Sequence, residues 1–585
     1  MLKKTKIVCT LGPSTDNSKI LQTLLTNGMD VARFNCSYGT HQEHAKRMAM
    51  VREAAVQAKV PIALMLDTKG PEVRIGLLEK EKVTLSQGKK FVLTARDVIG
   101  TKEMVSVSYK GLPEDVGSGD TIFLNKGKVG LAVDLVEGED IFTTVTLGGE
   151  INSNARLAVP GVLLGLPPLC EQDVSDLLFG MRQNIDFVAA SFVQRAADIL
   201  AIRKILEDSG NGSVDIIAKI ENAEGVRNID EILKVADGMI VVRDSLGLEI
   251  PTEEIPLVQK LLIEKCNQAA RPVIIATQML ESMINQPRPM RAEASDLANA
   301  IFDGCDAIML NGETAIGKYP VGALQTMAKI AMRTEAILNY GNISIKNGLG
   351  IQPTSTGTVC QVTVYAAQEL GAAAIITSTE SGYTARMVSA YRPRATIVAV
   401  TSRENVARRM QLLWGVYPVL GPTSTNTDEV FRHAVKGALS SGLVKEGDLV
   451  VITAGVPSGT PGTTNLMKVH VVANILLRGT GIGQLIISGK VCVVHSERDL
   501  EEKFKPGDIL VISAVNDATA QQAVKASAII TEEGGLTSHA AIIGVSFGLP
   551  VIVGAERATE ILSDDMVVTV DTARGVIYQG EINAK

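Results

Sequence analysis

The chain has 585 residues, a net charge of -7, seven cysteines and 46% hydrophobic residues. That length exceeds what one hydrophobic core fills, so several domains are expected. The acidic balance, with Lys and Arg scattered, argues against nucleic acid as the main partner, and no apolar run approaches the roughly 20 residues that span a bilayer. Met1-Leu-Lys-Lys-Thr-Lys-Ile7 enters a strand pattern at once, with no apolar leader. The cysteines lack CxxC spacing and read as free thiols of a reducing compartment, so a cytoplasmic location is expected.

In chain order, short and nearly continuous apolar runs predict strands over 5–10, 30–34, 61–67, 187–191, 215–221, 238–243, 272–278 and 306–310. Such runs suit strands buried on both faces of a parallel sheet. Helical patterns at 18–27, 41–58 and 255–269 fall between them. The expected architecture is a (β/α)8 TIM barrel over 1–72 and 161–345, whose reactive groups sit at the strand C-termini. Arg33, Asn35, Asp67, Thr68, Ser191, Lys219, Glu221 and Thr277 all fall at such ends. Between the third and fourth strands, 73–160 changes to short alternating strands with Gly and Asp turns. This predicts a small inserted β domain, placed to close over the barrel mouth as a lid.

The segment Val214-Asp-Ile-Ile-Ala-Lys-Ile-Glu-Asn-Ala-Glu-Gly-Val226 is the most specific. Lys219 and Glu221 are two apart, so an extended backbone projects both to one side. A desolvated ammonium beside a carboxylate able to hold a divalent cation suits phosphoryl chemistry. An ordinary ion pair at a strand end is the competing reading.

A second α/β region is expected over 346–478, with strands at 373–377, 396–400, 416–418, 449–453 and 467–472. Its loops Thr377–Thr384 and Gly455–Thr464 carry hydroxyls and glycines. These suit either an anion cradle or, more commonly, helix caps and turns. The remainder, 479–585, forms an extra unit in which His539 follows the strand 528–531 and opens a helix. His539 would either carry a phosphoryl group or simply cap the helix.

The first 480 or so residues resemble the pyruvate kinase family. Matching segments are Lys4–Val8, Val31–Asn35, Leu66–Glu72, Ile217–Gly225, Ala276–Met283 and Arg291–Asp296. The tail resembles the phosphohistidine domain of phosphoenolpyruvate-utilising enzymes, which some bacterial pyruvate kinases carry as an extension. The resemblance implies phosphoryl transfer from phosphoenolpyruvate to ADP, giving pyruvate and ATP, in a glycolytic and usually homotetrameric enzyme. It implies that Lys219 stabilises the transferring phosphoryl group, that Arg33 clamps the phosphate and that Arg74 supports that region. Thr277 would help protonate enolpyruvate. Glu221 would hold Mg2+ or Mn2+, and Asn35, Ser37, Asp67 and Thr68 would hold K+, with Glu72 pointing to K+ dependence. Ser378, Thr379, Ser381, Gly382 and Thr384 would cradle a phosphorylated allosteric effector.

Several residues depart from the family's segments. Arg243-Asp-Ser-Leu-Gly247 stands for Arg-Gly-Asp-Leu-Gly, so Ser245 replaces a metal carboxylate and Asp244 a glycine of the substrate site. Asn125-Lys-Gly127 stands for Asp-Asp-Gly, and Ala155-Arg-Leu-Ala-Val-Pro-Gly161 for Lys-Gly-Val-Asn-Leu-Pro-Gly. Lys126 and Ala155 therefore alter the nucleotide side, while Tyr38 replaces His and Asn311 replaces Ser. Three expectations follow: a working kinase with weakened metal and nucleotide sites, a non-catalytic relative that binds ligand or regulates, and a carrier centred on possible phosphohistidine His539.

Overall fold

The computed structural model describes residues 2–125, 127–162, 164–210, 212–343, 350–351, 353–422, 426–455 and 463–581. They fall into two compact units. The first holds residues 1–361, 379–393 and 401–420; the second holds 362–378, 394–400 and 421–585.

In the first unit eight parallel strands close into a barrel. They are β1 (Lys6–Thr10), β2 (Val31–Asn35), β3 (Ala63–Asp67), β4 (Phe187–Ala190), β5 (Asp215–Ile220), β6 (Gly238–Val242), β7 (Val273–Ala276) and β8 (Ala307–Leu310). Each strand pairs with its sequence neighbours, and β1 pairs with β8 to close the ring. Nearly every strand residue is buried, for a two-sided reason. Val8, Val31, Met65, Ala189, Ile217, Ile240, Ile274 and Met309 belong to one apolar cluster. The alternating residues Cys9, Ala32, Leu64, Val188, Ile216, Met239, Ile275 and Leu310 belong to another, shared with the surrounding helices. A strand that must satisfy two apolar surroundings shows no polar alternation, hence the continuous runs.

Five of these strands start one or two residues later than the sequence pattern predicts; at β2 and β8 the residue left out is an aspartate, Asp30 or Asp306, and Asp186 and Asp237 likewise stand immediately ahead of β4 and β6. Asp30 accepts from the Ile7 amide at 2.7 Å, Asp186 from Leu64 at 2.9 Å, Asp237 from Ile216 at 3.0 Å and Asp306 from Val273 at 3.0 Å. Each carboxylate satisfies an amide at the start of a neighbouring strand, which gives those donors partners at the floor of the barrel.

The inserted region is an antiparallel-dominated sheet of seven strands with a separate two-stranded ribbon. Its own core includes Phe91, Leu93, Ile122, Leu131, Ile141 and Leu157. Val73–Arg74 pairs antiparallel with Arg156–Ala158, joining the two connections to the barrel side by side.

In the second unit, residues 396–400, Ala374–Ser378 and Leu449–Gly455 run parallel, and Thr464–Val471 adds antiparallel. Downstream lies a mixed eight-stranded sheet over 475–579. Its parallel run is formed by Ile486–Val494, Ile509–Ile512, Ala528–Thr531 and Val551–Val553. All seven cysteines are free. Among the described residues no helix is long and apolar enough to cross a membrane.

Candidate active site

The inward register of the barrel strands does not stop where the apolar residues do. Continuing in steps of two from Val8, Val31, Met65, Ala189, Ile217 and Met309 gives Thr10, Arg33, Asp67, Ser191, Lys219 and Asn311. The same periodicity that builds the core therefore delivers a polar layer at the strand C-termini.

These side chains bond to one another. Arg33 Nε donates to Asp67 Oδ2 at 2.6 Å, and its Nη1 donates to Thr10 Oγ1 at 2.8 Å and Asn311 Oδ1 at 3.3 Å. Lys219 Nζ donates to Asp67 Oδ1 at 3.0 Å and Ser191 Oγ at 2.7 Å. Ser191 Oγ in turn donates to the Thr68 carbonyl at 2.6 Å. Glu221 Oε1 lies 3.3 Å from Lys219 Nζ, while Glu221 Oε2 is buried with no hydrogen-bond partner. Asp67 thus holds two cations, Arg33 and Lys219, side by side.

Charge balance explains how so many ionised groups tolerate burial. Burial pushes the Asp67 carboxyl up, but the Arg33 and Lys219 charges outweigh it and hold it below the usual carboxylate range. Burial pulls the Lys219 ammonium down, and Asp67 and Glu221 more than offset that, leaving it above the ordinary lysine value. At Glu221 burial prevails over Lys219 and Arg156, and the carboxyl is raised. Both members of the predicted Lys219–Glu221 pair are in place, yet the ammonium's hydrogen bonds go to Asp67 and Ser191.

Local sequence fixes the approach to Glu221. Asn222 accepts from the Gly225 amide at 2.8 Å and caps the short helix Ala223–Arg227, so the chain turns sharply after the carboxylate. Across the barrel mouth, Thr277 and Gln278 adopt φ of 70° and 54°. For a β-branched residue this is strained backbone. Arg243 retains the turn by donating to the carbonyls of Thr277 at 2.8 Å and Gln278 at 3.0 Å, and it pairs with Asp296. Thr277 Oγ1 donates to the Ala276 carbonyl at 2.6 Å and accepts from the Asp244 amide at 3.1 Å.

Ser245 is buried in the helix Arg243–Glu249 and accepts from Arg156 Nη1 at 3.1 Å. The Asp244 carboxylate accepts from the Ser245 amide at 3.0 Å, at the start of its own helix. Ala155 joins the core of the inserted sheet. Lys126 lies outside the described residues, as does most of the Gly455–Thr464 loop.

Other predicted residues are placed as follows. Arg74 donates to Glu72 and to the Asn154 carbonyl, and is bonded to neither Arg33 nor Lys219. Asn35 Oδ1 accepts from the Ser37 amide at 3.0 Å, and Thr68 Oγ1 accepts from the Ser191 amide at 3.2 Å. Thr379 accepts from the Gly382 amide at 3.0 Å and Ser381 from the Tyr383 amide at 3.4 Å, in the turn that leads into the helix Tyr383–Ala390. Thr384 is buried in that helix, whereas Ser378 ends a strand of the second unit. His539 is the exposed first residue of the helix His539–Phe547, whose cap is Ser538, and its Nε2 lies 3.4 Å from Asp517.

Three participants carried no assigned role in the sequence reading: Thr10, Asn311 and Ser191, which brace Arg33 and Lys219. The inward register identifies all three. Arg156 had no such signal, since it reaches the barrel from another sheet.

Two predictions arise from this geometry. Gly70 has φ of 74°, and a Cβ there would lie 2.7 Å from Ser191 Cβ and 2.8 Å from the Phe192 ring. Gly70→Ala is expected to destabilise the protein by about 1–3 kcal/mol through overpacking and backbone strain, read as an earlier urea transition, and to lower activity by displacing Ser191. The second concerns Glu249, which lines a cleft of about 110 Å³ with Glu221, Arg156 and Phe192. Burial, opposed by Arg156, pushes its carboxyl up to about 7. A raised carboxyl stabilises the fold in its protonated form, so this contribution is full below the unfolded value and is lost as pH rises toward about 7. Glu249→Gln is expected to flatten the fall in thermal midpoint between about pH 4.5 and 7; an unchanged pH profile contradicts this.

Comparison with known proteins gives a consistent result. Family descriptions match in three parts: pyruvate kinase, barrel domain, over residues 2–324; pyruvate kinase, alpha/beta domain, over 357–470; and PEP-utilising enzyme, mobile domain, over 504–575. The chain is 51% identical over 583 residues to a pyruvate kinase of Geobacillus stearothermophilus, covering 99% of each chain. It is 48% identical to a pyruvate kinase of Bacillus licheniformis, again covering 99% of each. Among solved structures, a crystal structure of a pyruvate kinase from Cryptosporidium parvum matches with TM-score 0.77 and 38% identity, covering 80% of this chain and 96% of that one.

Proposed function

The chain belongs to the pyruvate kinase family, and from that membership and the site's geometry we propose that it transfers the phosphoryl group of phosphoenolpyruvate to ADP, giving pyruvate and ATP. The observation that carries this reading is the Arg33–Asp67–Lys219–Glu221 cluster at the barrel mouth: two fixed cations beside one carboxylate with a free buried oxygen.

In the transfer, the bond from phosphorus to the enol oxygen breaks as a bond forms to a terminal oxygen of ADP. The enolate left behind then takes a proton at carbon to become the ketone. Lys219 holds positive charge where negative charge develops, and its position is preset by Asp67 and Ser191, so little reorganisation is needed. Arg33, braced by Thr10, Asn311 and Asp67, clamps phosphate oxygens. Thr277, held in its strained conformation by Arg243, orients the end of the substrate that receives the proton. Arg74 belongs to the periphery of the phosphate site. The inserted domain excludes water when it closes.

The residues fit a divalent cation, Mg2+ or Mn2+: Glu221 Oε2 lacks a partner, and Ser245 and Asp244 add oxygens at the next strand end. One protein carboxylate with substrate oxygens and water is a common arrangement for Mg2+. When bound, the cation would neutralise phosphate charge. Asn35, Ser37, Asp67 and Thr68 supply only oxygen donors and would hold K+, with Glu72 anchoring Arg74 nearby. Within the first unit, Thr379, Ser381, Gly382 and Thr384 would receive a phosphorylated effector. A cytoplasmic homotetramer, divided at 1–72 with 161–345, 73–160, 346–478 and 479–585, completes the reading.

The test is ATP formation from phosphoenolpyruvate and ADP with Mg2+ and K+, measured for the parent and for His539→Ala. Equal turnover in both is expected, because the chemistry is placed in the barrel. No ATP from the parent overturns the reading; loss only in His539→Ala moves the chemistry to the extension.

A further inference from the structure

Arg156 is a charged residue of the cleft to which the reaction above gives no task. It sits on the inserted-domain strand Arg156–Ala158, opposite Arg74. From there its side chain reaches the barrel, where Nη1 donates to Ser245 Oγ at 3.1 Å. Its guanidinium carbon lies 4.6 Å from the centre of the Phe192 ring, and Phe192 is itself held at φ of 56°. Stacking on the ring and bonding to Ser245 fix the guanidinium at both ends. Arg156, Phe192, Glu221 and Glu249 line the same cleft.

Its neighbours make this placement consequential. The Arg156 charge acts on both Glu221 and Glu249, opposing the effect of their burial. Glu221 keeps one buried oxygen without a partner. The uncharged Ser245 offers its hydroxyl oxygen to Arg156, so an oxygen available to a cation is already engaged by a donor. A guanidinium and a dication placed around the same oxygens repel each other.

We propose that Arg156 is a tethered competitor of the divalent cation: a guanidinium carried by the inserted domain that bonds Ser245 beside Glu221 and must give way before the cation binds there. This deepens the reading above and rests on Glu221 being the cation's ligand. Cation binding is then coupled to the inserted domain, because the bond that it breaks is one that ties this domain to the barrel.

The experiment measures Mn2+ binding to the full chain without substrates, from the electron paramagnetic resonance of free Mn2+, for the parent, Arg156→Gln, Arg156→Lys, Glu221→Gln and the Arg156→Gln, Glu221→Gln pair. Arg156→Gln is expected to bind Mn2+ about tenfold more tightly, the scale of removing one charge several ångströms from a dication in a wetted cleft. Arg156→Lys, which keeps the charge, is expected to stay within a few-fold of the parent, the scale of altered hydrogen-bond geometry alone. Glu221→Gln is expected to abolish binding in both backgrounds. If Glu221→Gln abolishes binding but Arg156→Gln binds no more tightly than the parent, Arg156 is no competitor and the proposal fails while the metal assignment stands. If Mn2+ binding survives Glu221→Gln, the metal assignment and the proposal fall together.

Discussion

Lys219→Met is expected to lower kcat for ATP formation by about 10²–10³-fold or more, the scale of removing one preorganised charge from a developing anion. The substitution keeps the length of the side chain and removes only the ammonium that bonds Asp67 and Ser191. KM for phosphoenolpyruvate is expected to change far less, because Arg33 keeps its bonds to Thr10, Asn311 and Asp67. Steady-state kinetics with a coupled pyruvate assay separates the two constants. A rise in KM with kcat intact would make Lys219 a binding group, not a catalytic one.

The second large effect is on stability. Asp67→Ala removes the only acceptor that Arg33 and Lys219 share among the described residues, leaving two buried cations side by side. Breaking a buried charge arrangement in this way costs about 3–5 kcal/mol. The expected result is a marked fall in the urea midpoint of the barrel transition, followed by tryptophan fluorescence from the single Trp414. A companion Asp67→Asn variant keeps the shape and an acceptor oxygen and is expected to lose less. Equal losses in both would show that packing volume, not charge, sets the role of this position.

The barrel was legible because its strands are buried on both faces, which leaves uninterrupted apolar runs such as Ile216–Ala218 and Met239–Val242. Some of their starting points were not, because Asp30 and Asp306 look like the beginnings of strands but serve their neighbours' amides. In the site, period-two projection joined Lys219 to Glu221, and extending it from Val8 and Met309 would also have found Thr10 and Asn311. What no local pattern carries is the meeting of Arg156 with Ser245, which are 89 positions apart, one on a strand of the inserted sheet and the other in a helix of the barrel. The seryl replacement at 245 reads in isolation as a lost ligand. In space it is one half of a hydrogen bond. The hydroxyls of Thr379 and Ser381 show the opposite case, since the local turn bonds they make to nearby amides are what their residue types most often do.

The placement of Arg74 also has a physical reason. Its strand is the edge of the inserted sheet, where Glu72 and the Asn154 carbonyl are within reach and the Arg33 pocket is already filled by Thr10, Asn311 and Asp67.

The central claim, that this barrel mouth moves a phosphoryl group from an enol oxygen to a nucleotide, is tested most directly by phosphorus NMR of phosphoenolpyruvate and ADP mixed with the protein, Mg2+ and K+. The account predicts that the phosphoenolpyruvate and ADP resonances decline together as ATP rises in equal amount, and that no such exchange occurs with Lys219→Met. Release of inorganic phosphate without ATP, or an unchanged spectrum with the parent protein, would contradict it.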